Sequence, residues 1–382
     1  MKAWPSIGQI RWGWFLAAAA VLLVWPVFSD THTPTVLLIW ALFALSLGLM
    51  WGYAGLLSFG HSAYFGLGAY TYAIAVINIG ESTVPLLLAV LIPAVVAAVI
   101  GAMMFYGRIS DVYMGVITLV VTLILFKFMS ATAGDQYAIG DARLGGFNGI
   151  PGFPILNVPG MPEISLFGVP MYYIAAVSLL GCYLVSRWIL ARSFGRVLVG
   201  IRENEARCEL LGYSVPAYKT AIFTISAAMA GLAGCLFANW TEIVTPGVFA
   251  LRSAAEVIVW TIVGGVGTLI GPVLGAMALG MVKLLLGEQT VIDNSLLLGL
   301  ILVIVVLAIP RGVVPALQGW WRGRARIRAQ RAGHGRVRPR ATTVRSGESA
   351  TGWRRDAPGA SAASAEAPGT GGRLPAQRAV RP

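Results

Sequence analysis

Gly52-Tyr53-Ala54-Gly55-Leu56-Leu57-Ser58-Phe59-Gly60-His61-Ser62-Ala63-Tyr64-Phe65-Gly66-Leu67-Gly68-Ala69-Tyr70 is apolar, uncharged and repeatedly broken by glycine. Glycine breaks free backbone N–H and C=O groups, which lipid cannot satisfy; they are tolerated at membrane depth only beside protein or a wet cavity. A second such stretch reads Gly264-Gly265-Val266-Gly267-Thr268-Leu269-Ile270-Gly271-Pro272-Val273-Leu274-Gly275. Paired interrupted segments in two halves of a chain point to a transport path between broken helices. The competing reading is close helix packing by small residues, and Gly267, Gly271 and Gly275, four apart, share one face if the segment is helical. Ser58, Gly60, His61, Gly66, Gly68, Gly264, Gly265, Gly267, Gly271, Pro272 and Gly275 are therefore candidates for the path or for packed helix faces. His61 has no ionisable neighbour in sequence and reads as a hydrogen-bonded packing or helix-end residue rather than a ligand.

The rest of the chain makes lipid the solvent. Of 382 residues, 57% are hydrophobic and 12% charged, with a mean hydropathy of +0.76, whereas a soluble protein carries about 25% charged residues. Apolar runs long enough for roughly 30 Å of hydrocarbon lie at 12–29, 35–51, 59–79, 85–105, 113–132, 171–190, 217–240, 254–269, 270–287 and 294–310. The first resembles a signal peptide, but no small-x-small cleavage site follows it, so it reads as a retained span. Ten crossings with a cytoplasmic N-terminus put Lys2, Arg11, Arg108, Arg187, Arg192, Arg196, Arg202, Arg207 and Lys219 inside. Only Arg143 and Arg252 fall outside, among Asp30, Glu81, Asp135, Asp141, Glu163, Glu242, Glu288 and Asp293. This positive-inside asymmetry predicts that both termini are cytoplasmic. From Arg311 onward about fifteen arginines face Glu348, Asp356 and Glu366, which accounts for the net charge of +12. Residues 1–321 are expected to form the transmembrane domain. Residues 322–382 lack the apolar residues for a core and read as a disordered cytoplasmic tail held near anionic lipid rather than as a nucleic-acid-binding segment.

Nothing in the chain suggests catalysis. There is no G-x-x-x-x-G-K-[ST] phosphate loop and no H-E-x-x-H, and His32, His61 and His334 are far apart in sequence. Cys182, Cys208 and Cys235 form no C-x-x-C pair and read as small core residues. An ion-coupled carrier needs ionisable groups deep in the membrane. Lys127, Glu256 and Lys283 fall near the outer ends of their runs, where side chains can snorkel. Energy is then expected from outside this chain, and no cofactor is expected within it. The inner loop 191–216 is charge-dense, and Glu203 to Leu211 favours helix, with Gly212 as its cap and Pro216 opening the next span. Ala206, Leu210 and Leu211 share a face that can lie on lipid or present a docking surface.

Three ordered blocks between about residues 35 and 315 resemble the LivM-type permease subunits of branched-chain amino acid ABC importers. They are Gly55-Leu56-Leu57-Ser58-Phe59-Gly60-His61 through Tyr70; Gly195-Arg196 through Arg202-Glu203-Asn204-Glu205 to Gly212, with Tyr218-Lys219 and Ser226 to Gly234; and Val263 to Ala276. The tail after about Arg322 departs from that pattern, being longer and very arginine-rich, so nothing carries over there. The resemblance implies an all-α, polytopic fold of about ten spans, that of vitamin-B12-type (type II) ABC importers, with pseudo-repeated halves around a central path. It implies as partners a homologous LivH-type permease, two cytoplasmic ABC ATPase subunits that bind the ATP, and an extracytoplasmic substrate-binding protein, in the inner or plasma membrane. It implies that Arg202, Glu203, Asn204, Glu205, Leu210, Leu211 and Gly212 belong to the loop that couples to an ATPase. Its spacing is one residue longer than the EAA loop of maltose-type importers. Urea and short-amide importers use related permeases, so they remain the alternative substrates.

Overall fold

The computed structural model describes residues 20–26, 30–158, 161–287, 299 and 312–315. Ten helices carry names here: α1 His32–Ala54, α2 Ser62–Ile79, α3 Thr83–Tyr106, α4 Asp111–Ala131, α5 Val169–Ala191, α6 Ser193–Glu203, α7 Glu205–Leu210, α8 Val215–Thr241, α9 Leu251–Gly264 and α10 Ile270–Gly287. Their boundaries follow local chemistry. Gly55 and Gly80 stop α1 and α2 at φ 79°, each returning its N–H to the last turn, onto Trp51 and Val76 carbonyls. Asp111 sits in the first turn of α4, where a negative charge suits the helix dipole. Pro216 opens α8, where its missing N–H is not needed.

Among the described residues, α1, α2, α3, α4, α5 and α8 are long and apolar enough to cross a membrane. The expected run at 12–29 is described only at 20–26, which are helical, and that at 294–310 only at Gly299. The tail 322–382 lies outside the described residues. The expected crossing at 254–269 is corrected: α9 ends at Gly264 after 14 residues, or about 21 Å, and residues 265–269 turn the chain into α10. The expected run at 59–79 becomes helical only at Ser62.

The small-residue stretch from Ser226 to Gly234 puts α8 in the middle of the bundle, against α1, α2 and α3. A Cβ at Gly68 in α2 would sit 2.1 Å from the Gly231 carbonyl oxygen, and one at Gly234 would sit 1.8 Å from that of Phe65. Such approach of backbones replaces the hydrophobic drive that lipid does not supply. In α3, Pro93 lies inside the helix and its ring fills the space above Gly231.

The ends of the bundle differ in chemistry. At one end Lys219 meets Asp111 and Glu205, and Arg108 lies 3.9 Å from Glu209. At the other, Asn78 bonds Ile139 and Asp141, Trp240 bonds His32, and residues 133–158 and 161–168 gather. Arg108 and Lys219 thus share one end of the bundle, and Arg143 lies in the loop at the other, paired with Asp135 at 2.9 Å. The all-α expectation needs one addition. Within that loop Ala138–Ile139 pairs with Ala142–Arg143 and Asn157–Val158 with Met161–Ser165, while Ile150–Pro151 pairs with Ile243–Val244 beyond α8, all antiparallel. Frequent glycines with φ between 55° and 73°, from Gly140 to Gly152, allow these tight reversals.

Candidate functional site

The first glycine-rich segment folds back into the bundle. α1 ends at Ala54, yet His61, at the start of α2, is hydrogen-bonded to Ser46, eight residues and about 12 Å back along α1. Gly60 packs on Thr118 and Thr122 of α4, where a Cβ would lie 1.8 Å from the Thr118 carbonyl oxygen. Residues 55–61 are therefore non-helical backbone at depth; Leu56, Ser58, Gly60 and His61 are buried in protein, as such backbone requires, while the Phe59 side chain is exposed. Thr122 Oγ1 donates to the Gly60 carbonyl at 3.0 Å. Ser46 Oγ donates its one proton to the Phe43 carbonyl at 2.6 Å, so His61 Nε2 must be the donor across the 2.8 Å contact to Ser46. The neutral ring then carries Nδ1 as an acceptor. His61 Nδ1, Ser58 Oγ and Ser62 Oγ are buried with no hydrogen-bond partner among the described residues. His61 also stacks on Phe43, and Ser226 of α8 donates to the Ser46 carbonyl at 2.6 Å. This polar chain matches the expected hydrogen-bonded role of His61.

The second segment is a turn between two packed helices. Gly265 and Gly267 adopt φ 115° and 93°, a region glycine enters at little cost. Gly267 thus leaves the expected common face, because the helix starts only at Ile270. Gly271 and Gly275 do bring α10 onto α9: a Cβ at Gly275 would lie 2.1 Å from the Trp260 carbonyl oxygen, and one at Gly264 would lie 1.9 Å from that of Gly271. Thr268 Oγ1 accepts from the Gly271 N–H at 3.1 Å and opens the helix. Pro272 seats against Gly48 of α1, and Gly66 of α2 against the Phe249 ring. Close packing therefore accounts for Gly66, Gly68, Gly271, Pro272 and Gly275. Backbone conformation accounts for Gly265 and Gly267, and burial at the re-entrant break accounts for Gly60.

Of the three ionisable residues expected to snorkel, Lys127 is exposed. Glu256 is buried instead, between Arg252 Nε at 3.2 Å and Lys283 Nζ at 2.6 Å, with Lys283 above the Trp40 ring. Neighbours on α9 and α10 supply this pairing, which no single run of sequence displays.

The charged loop is more structured than its composition indicates. Its helix begins at Ser193, and the expected helix from Glu203 to Leu211 is split at Asn204. Asn204 is extended and its side chain accepts from the Arg207 N–H at 2.8 Å, so it caps α7. Gly212, at φ 86°, closes α7 as expected. Gly195, Leu198 and Ile201 bury one face of α6, and Cys208 packs with Ile201 and Val215. Phe194 stacks on Tyr218 at 5.2 Å. Two of the expected coupling residues are partly exposed yet bond back to the bundle. Glu205 pairs with the buried Lys219 at 2.7 Å, beside Asp111, and Arg202 donates from Nη1 to the Gly52 carbonyl. Leu210 and Leu211 face out, 89% and 70% exposed, with Tyr213 beside them and Ala206 also exposed. The apolar face of α7 therefore covers nothing in the described chain.

The pattern of the family described as "Branched-chain amino acid transport system / permease component" matches residues 31–307. High-affinity branched-chain amino acid transport system permease protein LivM of Escherichia coli K12 is 28% identical over 328 residues, covering 79% of this chain and 74% of that protein. Its Salmonella typhimurium namesake is 28% identical over 333 residues, with the same coverage. Probable branched-chain amino acid transport permease protein LivM of Methanocaldococcus jannaschii is 24% identical over 327 residues, covering 71% of this chain and 89% of that protein. No solved structure matches. With six membrane-length helices among the described residues and a match over most of its length, this chain is a multi-pass membrane protein that belongs to the branched-chain amino acid transport system permease family.

Proposed function

We propose that this chain is one membrane subunit of an ABC importer for branched-chain amino acids, driven by a separate ATPase docked on the α6–α7 loop. The observation that carries the reading is the tip of α7. Leu210 and Leu211 stand exposed on a short helix whose other side is fastened by Glu205–Lys219 and by Cys208. An apolar, pre-organised knob at the basic end of a bundle suits a partner that delivers mechanical work. The positive-inside rule makes that end cytoplasmic, as in the ten-span, pseudo-repeated arrangement of type II importers with both termini inside. A homologous LivH-type permease would complete the path, and an extracytoplasmic binding protein would meet the end formed by residues 133–158 and 161–168. The names of the relatives support branched-chain amino acids as cargo.

Two measurements test this. Radiolabelled leucine, urea and acetamide uptake should be compared in a strain lacking the chain and one with it restored; restored urea or acetamide uptake without leucine uptake would refute the cargo. Leu210→Ala with Leu211→Ala should leave insertion intact and weaken ATPase co-purification by about tenfold or more, since central interface truncations cost about 1–2 kcal/mol each. Undiminished co-purification would mean that α7 is not the docking element.

A further inference from the structure

The contacts of Arg202 reach further than docking. It sits on α6, yet its Nη1 donates to the carbonyl of Gly52 in the last turn of α1. Carbonyls there lack intrahelical partners and carry the negative end of the helix dipole. The stem of the arginine fills the space a side chain at Gly55 would occupy, with Cγ 3.2 Å from a Cβ placed there. Its Nη1 lies 3.7 Å from a Cβ placed at Gly267, in the turn between α9 and α10. That turn in turn rests on α1: a Cβ at Gly52 would be 3.0 Å from the Gly267 nitrogen. The neighbouring Tyr53 phenol is hydrogen-bonded to the backbone of Leu269. Three elements distant in sequence thus meet at one guanidinium: the α6–α7 loop, the end of α1 and the α9–α10 turn. Glycine at positions 52, 55 and 267 makes the meeting possible.

We infer that Arg202 is a positioning residue that carries movement of the α6–α7 loop to the α9–α10 turn, so that ATPase motion reaches the second glycine break through the end of α1. The inference rests on the proposed function of the loop and adds the route by which work leaves it. Glu205 and Lys219 tie the same loop to α8 and α4, but no described contact takes that tie to the turn. The guanidinium suits the task because its planar fork of five donors can hold one backbone group while facing a second.

The test uses the assembled importer in lipid nanodiscs. Spin labels are placed at Tyr113→Cys, exposed in the first turn of α4, and at Val266→Cys in the turn, with Cys182, Cys208 and Cys235 replaced by serine. ATP addition should shift the label separation when Arg202 is present. Arg202→Gln should keep its ATPase and lose most of the shift, with uptake down about tenfold. Arg202→Lys, with one donor group but the same charge, should recover part of both, and it decides the matter if the glutamine variant does not assemble. An equal shift in the variants and the parent overturns the inference. So does loss of the ATPase from a variant that inserts normally, which would make Arg202 a docking residue. A parent complex that holds its ATPase yet shows no shift overturns the inference alone. A parent that holds no ATPase overturns the proposed function as well.

Discussion

At the scale of single residues, the buried polar chain Ser226–Ser46–His61 defines how α1, α2 and α8 register with one another. Ser46→Ala removes the acceptor for the His61 Nε2 proton and leaves a buried donor unpaired, which costs about 1–3 kcal/mol. Thermal unfolding in detergent should register that loss, while Ser226→Ala, which leaves the Ser46–His61 bond in place, should cost less. Equal stability of Ser46→Ala and the parent would mean that the ring finds another acceptor. His61 was legible as a hydrogen-bonded packing residue because its sequence neighbourhood offers no ionisable partner. Its partner was not legible, since Ser46 comes within reach only when residues 55–61 climb back beside α1. The same reason explains Arg202 and Glu205. Both read only as members of a charge-dense loop, because the Gly52 carbonyl and Lys219 that they bond arrive from other elements.

At the scale of elements, the hydrophobic runs located the long helices, because length and apolar content alone decide what can cross lipid. They did not locate where α2 begins or where α9 stops, because glycine permits either course and packing against α1 and α4 decides. The split at Asn204 did carry a local signal: asparagine directly before an acidic first turn is an N-cap pattern. The consequence can be measured through Cys208, the buried residue of α7, which packs on Ile201 and Val215. Lys219→Met removes the charge that holds Glu205 and should loosen α7 from α8. In a background with Cys182 and Cys235 replaced by alanine, maleimide should then label Cys208 about tenfold faster, as local opening becomes less costly. An unchanged rate would show that Ile201 and Val215 alone hold the helix down.

At the scale of the whole molecule, the separation of charge between the two ends predicts its orientation. Gly145 is a poor place to test it, since its φ is 67° and a Cβ there would sit 1.9 Å from the Gly149 carbonyl oxygen. Phe147, 74% exposed on the same loop, is better. Phe147→Cys should react with an impermeant thiol reagent on intact cells and Leu210→Cys should not; the reverse would invert the molecule and end the docking proposal. The loop that carries Phe147 is closed by residues from far along the chain. Ile150 and Pro151 pair with Val244 and Ile243, and the Leu156 amide bonds Asn239, 83 positions away. Translation at about 5–20 residues per second separates Leu156 from Asn239 by roughly 4–17 s. During synthesis the loop therefore emerges without its edge partner and is completed only once α8 has threaded through, which makes it a late seal on the newborn protein.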